Sequence, residues 1–240
     1  MALPARILAL VALLALVGCL GLGTIDPPPA PDHPETLTAD RVADYANASE
    51  TTKRHRAAAD RGATEERLAC GATTLGTTDR AGYAFVGCSG GFSYGDQTGT
   101  GRWQSVYRVT TSSETRIGEG TVTRRDGGDG RDDRNLALRV YSFAEEGRTV
   151  TVTLEPVGPN ASGDATTDEF SVGPDTGVYV SAVADDPRTD AYRVTATLDT
   201  GESVTFRWDS GERRSLAGTV PVVVVTSEGS VVGGVAPVPR

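Results

Sequence analysis

Lysine is almost missing from this chain. Lys53 stands alone among 23 basic residues, the other 22 being arginines, against 32 acids and a formal charge of -9. That deficit disfavours nucleic-acid binding, which needs a basic footprint to displace counterions from phosphates. Histidine is limited to His33 and His55, and methionine to Met1. Blue copper wants two histidines, a cysteine and usually a methionine, so the sequence argues against it. Zinc, haem and iron–sulfur centres lack ligands in the same way, and no phosphate-cradling glycine loop is followed by Lys-Ser or Lys-Thr. The expectation is therefore no cofactor and no resident metal. Aromatics make up 6% and hydrophobic residues 38%, so any core is built from small side chains. No apolar run reaches the roughly 18 residues that a membrane-spanning helix needs.

What is present begins with a leader. Arg6 precedes an unbroken apolar run over residues 7–17, within the length of a secretory signal and too short to span a bilayer. The next residues complete Leu16-Val17-Gly18-Cys19, which resembles the lipobox of exported lipoproteins. Small Gly18 suits a peptidase pocket, and Cys19 offers a thiol for diacylglyceryl attachment. Two acyl chains anchor a protein stably where one holds it only marginally. The expectation is a signal peptide over 1–18 and a lipid-anchored Cys19, with the ordinary cleaved leader as the alternative.

Three cysteines would leave a stray thiol in an oxidising compartment. With Cys19 lipidated, Cys70 and Cys88 remain as a pair. Folding the chain back about Asp79 sets Cys70 opposite Cys88 and Leu75 opposite Tyr83. Opposed residues of an antiparallel pair lie about 4.5–5.5 Å apart, inside the window a disulfide accepts. A metal pair or a reactive thiol would need neighbouring ligands that the sequence lacks.

Along the chain, residues 19–36 carry a proline cluster and read as an extended spacer holding the folded part off the surface. From Thr38 to about Arg61 glycine and proline are absent, Thr38 or Asp40 can cap, and Gly62 stops the run. Val42, Tyr45, Ala46 and Ser49 form a thin stripe at helical spacing. Strand patterns follow over 68–75, 83–94, 104–110 and 115–123, so a small α+β domain is expected over 37–125. An acidic, glycine-rich linker over 126–134 separates it from eight further strands, at 136–143, 149–157, 169–172, 178–184, 192–198, 203–208, 220–226 and 231–235. Glu145-Glu146-Gly147 and Asp199-Thr200-Gly201-Glu202 read as hairpin loops. Strands at this spacing, with Tyr192 fitting a tyrosine corner after a Pro187 turn, indicate an immunoglobulin-like β-sandwich over 135–240. The fold class expected is mainly β: a helix with an antiparallel sheet, then the sandwich.

Several motifs invite chemistry and are answered by blander readings. Gly87-Cys88-Ser89-Gly90-Gly91 fits the G-x-S-x-G pattern, but its flanks read as strands and both histidines precede Ser89, against the order such a hydrolase needs. No catalytic residue is expected. Asp126, Asp129, Asp132 and Asp133 offer carboxylates to a hard cation, yet depart from the EF-hand spacing and alternate with Arg131 and Arg134. A plain linker is the favoured reading. Asn47-Ala-Ser and Asn160-Ala-Ser are glycan acceptor sequons, Asn160 in a loop and Asn47 on the helix. Glycines 90, 91, 95, 99 and 101 with Phe92, Tyr94 and Trp103 suit either a sugar- or peptide-binding groove or core aromatics beside a loop, and the core is preferred.

Taken together, the acidic, arginine-rich composition, the lipobox, the proline spacer, the alanine-rich helix and the alternating strands resemble small surface lipoproteins of halophilic archaea. The resemblance implies export, residence on the outer face of the cytoplasmic membrane within the cell envelope, and a structural, adhesive or interaction role with a protein or glycan partner. Removing the leader takes Arg6 with it and leaves the charge one unit more negative. An extracytoplasmic small-ligand or cation-binding protein is the alternative, and a paired-carboxylate envelope hydrolase the third reading, since acids are abundant.

Overall fold

The computed structural model describes residues 25–118, 122–126, 137–159, 161, 163–181, 191–209 and 218–238, with backbone only for 122–126 and Ser181. It is a mainly β structure with one helix.

Helix α1 spans Ala39–Ala59. Thr38 has extended backbone angles and accepts a hydrogen bond from the Arg41 N–H at 3.4 Å, satisfying one of the free donors of the first turn. Asp40 in the first turn and Arg56 in the last complement the helix dipole. Gly62 ends the exit turn at φ 79°, a conformation that favours glycine. The stripe Val42, Tyr45, Ala46 and Ser49 is buried, as its spacing predicts.

Beneath the helix lies sheet A, an antiparallel meander of β1 (Glu65–Thr77), β2 (Gly82–Tyr94), β3 (Gln97–Val109) and β4 (Glu114–Gly118). Cys70 faces Cys88 in the register and the two form a disulfide. The expected match of Leu75 with Tyr83 is displaced by one residue, because a bulge between Thr74 and Gly76 puts Gly76 opposite Tyr83. The extra residue leaves Leu75 in the core at 7% exposure. Strand β3 begins at Gln97 rather than 104: pairing with Ser93, Gly91 and their neighbours overrides the weak strand propensity of Gly99 and Gly101. The strand expected over 115–123 is two. β4 leaves β3 at Gly118, and Val122–Asp126 (β5) pairs in parallel with β9 (Thr176–Ser181) of another sheet.

That second sheet, B, has the order β13-β12-β6-β9-β5, where β6 is Ala137–Ser142, β12 Thr219–Val225 and β13 Val231–Pro237. Sheet C is antiparallel, in the order β11-β10-β7-β8, with β7 at Arg148–Val157, β8 at Thr166–Val172, β10 at Ala191–Leu198 and β11 at Ser203–Asp209. Sheets B and C form the sandwich. The Asp199–Glu202 loop joins neighbouring strands β10 and β11, as expected. Residues 145–147 instead join β6 of sheet B to β7 of sheet C, because Phe143 and Ala144 are buried and turn the chain across the core rather than back along one sheet.

Sheet B is covered on both faces. Val220, Val222 and Val224 enter a cluster with Tyr83, Phe85, Val106 and Ile117 of sheet A. Val223 and Val225 enter the sandwich core with Val150, Val152, Leu154 and Val194. This accounts for the unbroken valine run 222–225: a strand buried on both sides needs no polar alternation. The layers therefore stack as helix, sheet A, sheet B and sheet C.

Residues 25–37 are extended, as the prolines predict, but they do not stand off the fold. The Ile25 N–H donates to the Ala63 carbonyl at 3.2 Å, Thr52 Oγ1 donates to the Pro29 carbonyl at 3.2 Å, and the His33 ring stacks on Tyr45 with centroids 4.8 Å apart. Leu37 packs beside Val42. Ile25 at the start of this strap packs against Ala58, Ala63 and Phe92.

Candidate functional site

The far half of sheet A, beyond the region sheet B covers, presents two unlike faces. Alternation along the strands assigns the side chains. On the helix side lie the rows Glu66–Phe92–Gly99, Leu68–Gly90–Gly101 and Cys70–Cys88–Trp103. Phe92 and Trp103 contact there at 5.8 Å and pack with Ala58, Ala63, Leu68 and Ile25, so these aromatics are core, as preferred from sequence.

The opposite face carries Glu65–Ser93–Thr98, Arg67–Gly91–Thr100 and Ala69–Ser89–Arg102. All of these but Ala69, together with Glu66, Gly90 and Gly101, line a cavity of about 740 Å³, the glycines leaving its middle without side chains. Gly90 sits where a Cβ would fall 1.9 Å from the Arg67 carbonyl oxygen, so the close approach of β1 to β2 behind the cavity requires glycine. Ser93 Oγ and Thr98 Oγ1 are 3.4 Å apart at its outer end. Neither the Arg67 nor the Arg102 side chain makes a hydrogen bond or ion pair with a described residue. Glu66, next to Arg67 in sequence, meets Nδ1 of His55 on the helix side instead.

A polar network lies behind these strands, between α1 and sheet A. Glu50 is 1% exposed. Its carboxylate accepts from Arg116 Nε at 2.6 Å and Nη2 at 2.9 Å, Tyr107 Oη at 2.7 Å, Arg54 Nε at 2.7 Å and Ser105 Oγ at 3.3 Å. Burial by itself would raise the Glu50 pKa, but the hydrogen bonds from Arg116 and Tyr107 and the charges of Arg116 and Arg54 outweigh it and hold the group down at about 2. Burial, then the adjacent Glu50 charge, pushes the Tyr107 phenol well above its ordinary value. Next to it Ser49 Oγ donates to Glu114 at 2.7 Å, and Lys53 pairs with Glu114 and lies over the Tyr107 ring at 5.4 Å. Glu114, too, is lowered against the pull of burial, by hydrogen bonds from Lys53 and Ser49. Every carboxylate oxygen here is committed, so the network fastens the helix to the sheet.

The residues singled out from sequence fall as follows. Cys70 and Cys88 are joined directly behind the Ala69–Ser89–Arg102 row. Ser89 is in mid-strand, with neither the turn nor the following helix of a nucleophile elbow, and both histidines lie on the helix side. Asn47 is half-buried on α1, where Oδ1 has no hydrogen-bond partner among the described residues. Asp126 ends β5, its side chain undescribed, while Cys19, Asn160, Asp129, Asp132, Asp133 and Pro187 lie outside the described residues. Among the described residues no cluster of three or more His, Cys, Asp or Glu is placed to hold a metal.

Neither a family model, a curated protein nor a solved structure matches the chain.

Proposed function

We propose that this is an exported, lipid-tethered protein of the cell surface whose work is non-catalytic binding. The cavity on sheet A carries the reading. It offers hydroxyls from Ser89, Ser93, Thr98 and Thr100 and two arginines without partners among the described residues, while His33 and His55 sit behind the sheet, out of reach of Ser89. Convergent polar groups in a preformed hollow suit recognition. The Leu16-Val17-Gly18-Cys19 sequence supports the tether, and the disulfide fits an oxidising compartment.

Fractionating source cells and measuring intact mass tests this. The expected result is a detergent-extracted chain that begins at Cys19 and carries the added mass of acyl groups. A water-soluble chain with residues 1–18 still attached would overturn the proposal.

A further inference from the structure

The strap places one end of the molecule close to its proposed anchor. Ile25 is fixed to Ala63, two residues before Glu65, the first residue of the cavity's outer row. Cys19 is only six residues before Ile25. Fully extended, six residues span roughly 20 Å at 3.3–3.6 Å each, and two more strand residues cover about 7 Å. A spacer of 18 residues would have let the fold drift; the docked strap removes most of that freedom. Whatever Cys19 is attached to must therefore lie near the open end of sheet A.

The chemistry of that end is specific. Arg67 on β1 and Arg102 on β3 flank β2 from opposite sides on a diagonal, two strand spacings across and two residues along, or about 12 Å apart, with Gly91 and Ser89 between and below them. Guanidinium groups bind phosphate oxygens in paired, parallel hydrogen bonds. Ser89, Thr100, Ser93 and Thr98 add hydroxyl donors along the same floor. The inner two rows hold no carboxylate; of the two glutamates that line the cavity, Glu65 stands in the outermost row and Glu66 is paired with His55 on the helix side. In a chain of charge -9, two unengaged arginines over a glycine floor mark a place kept for an anion.

We infer that this hollow takes the phosphate headgroup of an anionic lipid in the membrane that holds the anchor, with Arg67 and Arg102 gripping the phosphate. The inference rests on the proposed lipidation of Cys19, since the short reach is what selects a lipid over a phosphate free in solution. The sheet end would then face the bilayer and the sandwich would point outward.

Co-sedimentation with vesicles tests it, using the full chain with Cys19→Ser so that no acyl group contributes. Vesicles of phosphatidylcholine alone are compared with vesicles containing phosphatidylglycerol, and soluble glycerol phosphate is added as a competitor. Binding should require the anionic lipid. Each arginine beside such a surface is worth about a factor of five, so Arg67→Gln with Arg102→Gln should weaken binding about 25-fold. Arg193→Gln, which removes one exposed arginine from sheet C, should leave binding nearly intact, and both variants should melt with the parent. Indifference to anionic lipid, or equal losses from Arg193→Gln and the groove pair, would overturn the inference. So would glycerol phosphate binding with no vesicle binding, which would mark a site for free phosphate. Intact mass reports on the tether separately: an unmodified Cys19 alongside arginine-dependent vesicle binding would remove the anchor and leave the headgroup site standing.

Discussion

Replacing Glu50 with glutamine removes one charge and keeps the shape, and its cost follows from the geometry. Glu50 is the only ion-pair partner that Arg116 and Arg54 have among the described residues. With side chains 29% and 20% exposed, neither arginine regains full hydration when that partner is lost. One glutamine nitrogen would also point at a donor. Breaking a buried pair in this way costs about 3–5 kcal/mol. The depressed pKa gives an independent figure: a carboxyl held at about 2 instead of 4.5 contributes about 3 kcal/mol at neutral pH. Because the folded pKa lies below the unfolded one, this stabilisation is complete above pH 4.5 and fades as pH falls towards 2. Glu50→Gln should therefore melt about 6–20 °C below the parent at pH 7 for a chain of this size. The gap should close progressively between pH 4.5 and pH 2. Urea unfolding followed by tryptophan fluorescence reads the same loss, since Trp103 stacks against Arg54 while Trp208 lies in the sandwich core. A loss below about 1 kcal/mol at pH 7, the worth of an exposed pair, would refute the reasoning. A gap that stays constant down to pH 2 would do so as well.

Reducing the Cys70–Cys88 bond opens a loop of sequence separation 18, which should cost about 3 kcal/mol in urea unfolding through the entropy returned to the unfolded chain. An unfolding midpoint unchanged by reductant would contradict that. The surplus of acids over bases disfavours the compact state by self-repulsion, and at molar salt the screening length falls to about 3 Å. Dialysis from molar chloride into dilute buffer should accordingly lower the melting temperature, and a melting temperature indifferent to salt would count against the halophilic reading.

Much of the fold was legible where the signal was local. Thr38, the Gly- and Pro-free run and Gly62 fixed the helix, and symmetry about Asp79 fixed the disulfide. The doubly buried Val222–Val225 strand could be read as a strand, but its partners β6 and β13 could not, since pairing with residues far along the chain leaves no local trace. Strand alternation also carries no sheet identity, which is why the crossing from β4 to β5 was read as one strand. The Glu50 network did have a signal that went unread. The stripe 42, 45, 46, 49 continues into Glu50, and a charge on a buried stripe demands partners. Arg67 and Arg102 needed the start of β3 at Gln97: without that register, nothing places them on one face across Gly91.

The two unlike faces of sheet A are mechanically linked, and that link bears on binding. The rows that line the cavity alternate with rows tied down behind them. The disulfide joins β1 to β2 one residue from Ala69 and Ser89, and Gly90 lets those strands approach closely. Ser105 and Tyr107, on the strand that carries Thr100 and Arg102, are held to the helix through Glu50. Arg67 and Arg102 thus project from strands whose separation is set by covalent and charge-assisted contacts rather than by a ligand. A site fixed in advance loses less entropy when it is filled, so a modest number of contacts can suffice for recognition. The same fastening explains how a floor of glycine and serine, with little apolar surface of its own to bury on the exposed side, keeps the shape of a sheet.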